Sequence, residues 1–121
     1  MLLNLSNHPS TRWPSEQLSE ANRLFGQILD LSFPNIDPAA DKEYVRELAN
    51  EYLQKILTLQ SQYNTSIAIH VMGELTFCFQ FVSLMKERGI RCVASTTERI
   101  TTDTPEGKLS KFVFVKFRDY Y

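Results

Sequence analysis

The stretch "SIAIHVMG", residues 66–73, decides the fold class of this chain. It is apolar at odd and even positions alike, apart from His70, and such a run is typical of a central parallel strand covered by helices on both faces. The residues that follow, "ELTFCFQFVSLMKERG" (74–89), are expected to form a helix that stops at Gly89. A buried strand that leads directly into a helix indicates an α/β domain with a mainly parallel sheet.

Two similar strand–helix units precede this one. The sequence predicts a short buried strand over residues 2–6, followed by a helix that begins near Pro14. A second short strand is expected over residues 28–31. The pair Asp37-Pro38 is then a start signal for a second helix, and the apolar residues of 44–57 form one stripe along it.

The C-terminal third departs from this alternation. "IRCVAST" (90–96) and "KFVFVKF" (111–117) both have the composition of strands, and no helical pattern separates them. They are therefore expected to pair as an antiparallel hairpin, with a turn at residues 103–107. The whole chain, residues 1–121, is interpreted as one Rossmann-like α/β domain with helices on both faces of a mainly parallel sheet. The apolar last strand is expected at an exposed edge, and a homodimer would cover it.

Composition excludes several classes of protein. A formal net charge of -1 argues against binding along a long nucleic acid. No segment is long and apolar enough for a membrane span, and a signal peptide is not expected. Cys78 and Cys92 lie in apolar patterns without metal-ligand spacing, so both are interpreted as reduced core thiols of a cytoplasmic protein. With two histidines far apart, neither a metal site nor a cofactor is predicted.

Small polar residues follow the predicted strands at their carboxyl ends. In open parallel sheets, ligands bind in the crevice beyond these ends, so the residues are expected to form one site. Their alternative role is to cap local backbone groups, which Ser and Asn do readily. The candidate ligand-binding residues are Ser6, Asn7, Trp13, Asn35, Met72, Gly73, Thr76, Ser95, Thr96 and Thr97.

Three candidate catalytic residues stand among them. His8 is a candidate acid–base group near neutral pH. Glu74 follows Gly73 at the start of a helix whose free amides would bind an anion, although a carboxylate there also suits the helix dipole. Arg99, which closes the run "STTER" (95–99), is expected to clamp a phosphate or carboxylate, its alternative being a surface pair with Glu98.

Two aromatic residues have competing interpretations. His70, inside an apolar strand, is interpreted as a core histidine with satisfied hydrogen bonds or as part of a dimer contact. Trp13 would either stack on a nucleobase or pack against the first helix.

The segments "LLNLSNH" (2–8), "HVMGELTF" (70–77) and "VASTTER" (93–99) resemble those of the CARF superfamily, the CRISPR-associated Rossmann-fold sensors of cyclic oligoadenylates. Stand-alone domains of this size resemble ring nucleases, which cleave the cyclic messenger and end the antiviral response. The resemblance implies a dimer that binds the ring across its two-fold axis. It also implies a metal-independent phosphodiesterase, in which a ribose 2′-hydroxyl attacks the neighbouring phosphodiester.

On that resemblance, His8 or Glu74 would orient or deprotonate the hydroxyl. Arg99, Thr96, Thr97 and the amides after Gly73 would stabilise the developing charge. Two other classes stay open: a sensor or binding module that holds a nucleotide or cyclic messenger without cleaving it, and a structural interaction domain.

Overall fold

The computed structural model describes residues 1–121 and contains one five-stranded sheet and three α-helices. The strands, in chain order, are β1 (Leu2–Ser6), β2 (Ile28–Ser32), β3 (Ala68–Met72), β4 (Arg91–Thr104) and β5 (Gly107–Asp119). The helices are α1 (Ser15–Phe25), α2 (Lys42–Tyr63) and α3 (Leu75–Glu87), and a short 3-10 helix spans Ser10–Arg12. The predicted order of strands and helices is confirmed.

The sheet has the strand order β2-β1-β3-β4-β5. All neighbouring strands run parallel except β4 and β5, which form the antiparallel hairpin expected from the sequence. The predicted α/β class is therefore confirmed, and β5 lies at an edge of the sheet as predicted.

The two faces of the sheet are covered by different helices. Leu3, Leu5 and Ile69 pack with α2 and α3 in the main core. Leu2 and Val93 belong to a smaller cluster on the other face, together with residues of α1. Because successive residues of a strand point to opposite faces, the residues two and four beyond Leu2 also point to the α1 side. That side carries the polar residues of the strands.

The second helix begins later than Asp37-Pro38 predicts. Helix α2 starts at Lys42, and the Asp41 carboxylate caps it by accepting a hydrogen bond of 3.3 Å from the Tyr44 amide. Asp37 instead accepts a hydrogen bond of 2.9 Å from the Ala39 amide and forms a turn of its own. Both Asp residues carry a capping signal, and the helix follows the second of them.

The C-terminal hairpin is much longer than predicted. Residues 97–110 were expected as a loop around a turn, yet they continue both strands and leave only Pro105 and Glu106 outside them. Pairing passes from Thr96–Lys116 to Thr97–Phe114, so Val115 is left over as a β-bulge. Beyond the bulge the hairpin has no third strand beside it, and its side chains are largely exposed.

The two cysteines, Cys78 and Cys92, are both free and buried, as predicted. None of the helices combines the length and the apolar character needed to cross a lipid bilayer.

Candidate functional site

A chain of hydrogen bonds crosses the α1 side of the sheet from β2 to β4. The Asp30 carboxylate accepts from Asn4 Nδ2 at 2.8 Å. Asn4 Oδ1 lies 2.9 Å from His70 Nδ1, and His70 Nε2 lies 3.1 Å from Ser95 Oγ. The strands place these groups directly, because Asn4 is the register partner of both Asp30 and His70.

The partners of Asn4 determine the direction of each hydrogen bond between Asp30 and Ser95. Nδ2 of Asn4 faces the Asp30 carboxylate and the His8 carbonyl, which only accept, so Oδ1 is the acceptor toward His70. The Nδ1 of His70 must therefore carry the proton. Its Nε2 is then a free acceptor, and the Ser95 hydroxyl donates to it.

Burial keeps His70 neutral. Its side chain is 2% exposed, and burial, with a smaller contribution from the charge of His8, lowers the pKa of His70 to about 4. The Asp30 carboxyl, in contrast, is held in its charged form. Burial by itself would raise the pKa of Asp30, but hydrogen bonds from Asn4 and Ser10 lower it overall. At neutral pH these hydrogen bonds therefore connect the charged carboxylate of Asp30, through Asn4, to the neutral imidazole of His70.

The Ser95 end of the chain opens into a cleft of about 400 Å³ at the carboxyl ends of β1 and β3. This is the kind of place where α/β folds bind ligands, and its size suits a small ligand. We call it the imidazole cleft. It is lined by His8, Arg12, Trp13, Pro14, Gln17, His70, Met72, Ser95, Thr97 and Phe112.

The loop that presents His8 is held through its backbone. The His8 carbonyl accepts hydrogen bonds from Asn4 Nδ2 at 2.9 Å, Ser6 Oγ at 3.0 Å and Trp13 Nε1 at 3.0 Å. Its side chain is exposed and lines the cleft. The backbone of His8 is therefore fixed by neighbours, while its imidazole is free to meet a ligand.

Five of the predicted site residues meet in the imidazole cleft: His8, Trp13, Met72, Ser95 and Thr97. Trp13 is buried there, with its N–H bonded to His8, and its ring packs edge-on against His70 at 5.1 Å between centroids. The indole forms a wall of the cleft, and packing accounts for its position.

Ser6 and Asn7 line a second, smaller cleft of about 280 Å³ on the other side of the same loop, next to Asp30. The predicted site is therefore divided by the loop of residues 6–9. Asn35 is exposed and lines neither cleft.

Helix α3 does not begin with free amides as expected. Glu74 is its N-cap, and its carboxylate accepts from the Thr76 amide at 3.1 Å and the Phe77 amide at 2.7 Å. The Thr76 hydroxyl donates to the same carboxylate at 2.7 Å. These hydrogen bonds lower the pKa of Glu74. Glu74 and Thr76 satisfy each other, which leaves no anion site at this helix start.

Gly73 is required for packing and not for a tight turn. Its φ is not among the positive values of this chain, but a side-chain carbon at this position would overlap the ring of Phe33. The glycine lets the loop after β2 lie against the end of β3.

Replacing Glu74 by alanine should therefore act on stability. We expect a loss of about 1 kcal/mol in the free energy of unfolding, since an N-cap contributes that much. Urea denaturation measures it, and Glu74→Asp, which keeps a capping carboxylate, is the matched control. A variant that keeps its stability but loses ligand binding would contradict the capping role.

Arg99 and Thr96 are occupied within the hairpin. Arg99 Nε and Nη2 donate to Ser110 Oγ at 3.2 and 3.0 Å. Arg99 lies two residues beyond Thr97 and does not line the cleft. Thr96 Oγ1 is bonded to the backbone of Lys116 at 3.2 Å. The run "STTER" was interpreted as a polar strand end, whereas it lies inside a continuous strand.

The sequence interpretation missed Asn4, Asp30 and Arg12. A signal for the first two was present, because each is a polar residue within a short apolar strand, as is His70. In parallel strands aligned at their carboxyl ends, such residues come side by side. Arg12 carries no pattern, and only the 3-10 helix brings it to the cleft.

A larger cavity of about 550 Å³ lies at the opposite, amino end of the strands, near Met1, Ile67 and Gly89. It contains no histidine or carboxylate. The imidazole cleft is smaller but holds the groups with acid–base chemistry, so we take it as the candidate site.

Fold and cleft together define a small Rossmann-like α/β domain with a polar cleft at the carboxyl ends of its parallel strands. The chain belongs to the family described as "Uncharacterized protein MJ1673 family", which matches residues 1–118. Comparison with curated proteins and with solved structures returned no match.

Proposed function

We propose that the protein is a ring nuclease that binds one phosphodiester of a cyclic oligoadenylate in the imidazole cleft and cleaves it there without a metal ion, by attack of a ribose 2′-hydroxyl. One observation carries this proposal. A single cleft of about 400 Å³ combines an exposed imidazole, a guanidinium and two hydroxyls, those of His8, Arg12, Ser95 and Thr97. The resemblance of the three sequence segments to the CARF superfamily supports the same substrate class.

Each of these groups matches one requirement of the reaction. Attack by a 2′-hydroxyl needs a general base, and His8 supplies an exposed imidazole in the cleft. The transition state carries charge on the phosphate oxygens, which a guanidinium and the Thr97 hydroxyl stabilise. In this proposal Arg12 takes the role that the sequence assigned to Arg99. Of the three residues predicted as catalytic, the proposal retains only His8.

A nucleobase would stack on Phe112 in this proposal. Phe112 lines the cleft and its side chain is 66% exposed, in contrast to the buried Trp13. Stacking on an exposed aromatic ring is tolerant of base identity and contributes about 1–3 kcal/mol per base. Because Phe112 and Arg12 line the same cleft, one ligand would contact the ring with its base and the guanidinium with its phosphodiester.

We further propose that the active form is a homodimer joined through the β4–β5 hairpin. Beyond the bulge this hairpin stands alone, and two isolated strands are marginally stable in water. Leu109 and Ile100 are exposed there by 63% and 46%. A second copy would cover these apolar groups.

The dimer is expected to dissociate when Leu109 is replaced by serine. Sedimentation equilibrium measures the molar mass directly, and the control is Thr102→Ser, at the register partner of Leu109. A wild-type chain that stays monomeric at high concentration would contradict the homodimer, and the ligand proposal would then rest on one chain.

Incubation with cyclic tri-, tetra- and hexa-adenylates, with and without EDTA, tests the function. Chromatography with mass detection should find linear products that persist in EDTA. Products that disappear in EDTA would keep the enzyme and overturn the metal-free mechanism. Intact rings that bind in a titration would instead indicate a sensor, and absence of both binding and cleavage would overturn the proposal.

A further inference from the structure

The proposed cleavage assigns no chemical step to Ser95, yet the surroundings of its hydroxyl are those of a specific site. Its hydroxyl donates to a neutral imidazole nitrogen at 3.1 Å. The opposite ring nitrogen is held at 2.9 Å by Asn4, which is itself held at 2.8 Å by Asp30. A hydroxyl, a base within hydrogen-bond reach and a group that orients the base are the signature of an activated nucleophile.

Other serines near the cleft lack this combination. Ser6 donates to the amide oxygen of Asn4, at 2.8 Å, and to the His8 carbonyl, neither of which takes up a proton. Ser10 donates to Asp30 at 2.7 Å and lies outside the imidazole cleft. Ser95 is the serine that both bonds to an imidazole and lines the cleft.

We propose that Ser95 is a nucleophile activated by His70, and that the cleft accepts a small carboxylic ester carrying an anionic group. Arg12 lines the cleft, is exposed, and would hold the anionic group of such an ester. Papain-like proteases, whose nucleophile is a thiol, use an Asn to orient the catalytic His, so an Asn in this position is compatible with a catalytic imidazole.

Hydrolysis of the ester would proceed through an acyl-serine intermediate on Ser95. Ser95 Oγ forms a bond to the acyl carbon while its proton passes to His70 Nε2. The bond between the acyl carbon and the alcohol oxygen breaks, and the departing oxygen takes the proton from His70. Water then attacks the acyl-serine with the same imidazole as base, which releases the carboxylic acid and restores the Ser95 hydroxyl. Asn4 accepts from Nδ1 throughout and keeps Nε2 directed at the cleft.

This activity is independent of the proposed ring cleavage, because attack by a 2′-hydroxyl forms no covalent bond to the protein. It also has its own pH dependence. The charged and titratable groups that face His70 are His8 and Arg12 across the cleft and Asp30 through Asn4. Since His70 stays neutral from about pH 5 upward, the reaction rate is expected to be flat between pH 5.5 and 8.

The experiment is labelling of the intact chain with a fluorophosphonate probe, read by intact mass and peptide mapping. We expect one adduct, on Ser95, that is absent from Ser95→Ala and forms at least ~100-fold more slowly in His70→Gln. Ser110→Ala removes an exposed hydroxyl bonded only to Arg99 and should leave labelling unchanged. An adduct that persists in Ser95→Ala, or a rate that rises tenfold per pH unit, would overturn the proposal.

A second variant tests whether the side chain at position 95 can be reached from the cleft, separately from whether it is activated. In Ser95→Cys the introduced thiol should be alkylated by iodoacetamide at pH 8. The two native thiols should not be alkylated, because both are buried. Burial raises the pKa of Cys78 to about 11 and that of Cys92 to about 12. Alkylation of the variant without labelling of the wild type would mean that Ser95 is reachable but not activated. No alkylation would mean that the side chain is sealed from the cleft, and either result overturns the proposal.

Discussion

Replacing His8 by alanine is expected to slow the cleavage of a cyclic oligoadenylate at least ~100-fold, because a positioned general base contributes about 10²–10⁴ to the rate. The melting temperature should stay within error of the wild type. The reason lies in the geometry of the loop, where the contacts of His8 with Asn4, Ser6 and Trp13 all go to its backbone carbonyl. Alanine keeps that carbonyl and removes only an exposed ring.

The rate is measured under single-turnover conditions, with product detection by mass, so that binding and chemistry are separated. Asn7→Ala is the matched control, since Asn7 is the exposed neighbour whose side chain belongs to the other cleft. Arg12→Gln should differ from His8→Ala by weakening substrate binding as well as the chemical step. Full activity in His8→Ala would remove the base from the proposed mechanism and leave the cleft as a binding site.

The fold was predictable because its signals are local. The continuous apolar run around Ile69 and Val71 is typical of a strand buried on both faces, and the helix that follows has its own start and stop signals. Hairpin length was not predictable in the same way. Ile100 and Leu109 are the only large apolar residues between Thr97 and Ser110, and the polar residues around them show no alternation that distinguishes a solvated hairpin from a loop.

The site was predictable only as far as strand direction determines it. Placing the carboxyl ends of parallel strands together brings His8, Met72 and Ser95 to one place, as found. The division into two clefts follows from the path of one loop, which depends on hydrogen bonds to a carbonyl that no pattern reveals. The interpretation of His70 as a core histidine with satisfied hydrogen bonds is confirmed. The sequence did not reveal the strand register that places His70 beside Asn4.

Acid is expected to destabilise the protein in a pH range set by His70. An unfolded chain protonates this residue with the ordinary histidine pKa of 6.5, whereas burial lowers the folded pKa to about 4. Between these values the unfolded state binds the extra proton, so stability is fully present above pH 6.5 and falls as the pH drops toward 4. At 1.36 kcal/mol per pKa unit the full loss is about 3 kcal/mol, and most of it occurs by pH 4.5.

Urea denaturation of the wild type at pH 7.5 and pH 4.5 measures this loss, and His70→Gln should remove most of it while keeping an amide donor toward Asn4. His8→Gln is the matched control, because it deletes the exposed imidazole and should leave the loss in place. Asp30 does not obscure the result, since its pKa lies below the ordinary 3.8 and its contribution is lost only in stronger acid. If the wild type and His70→Gln lost equal stability between the two pH values, His70 would have the same pKa in the folded protein as in the unfolded chain. The rate of labelling at Ser95 would then fall between pH 8 and pH 5.5 as the imidazole became charged, which contradicts the flat profile expected of the activated serine.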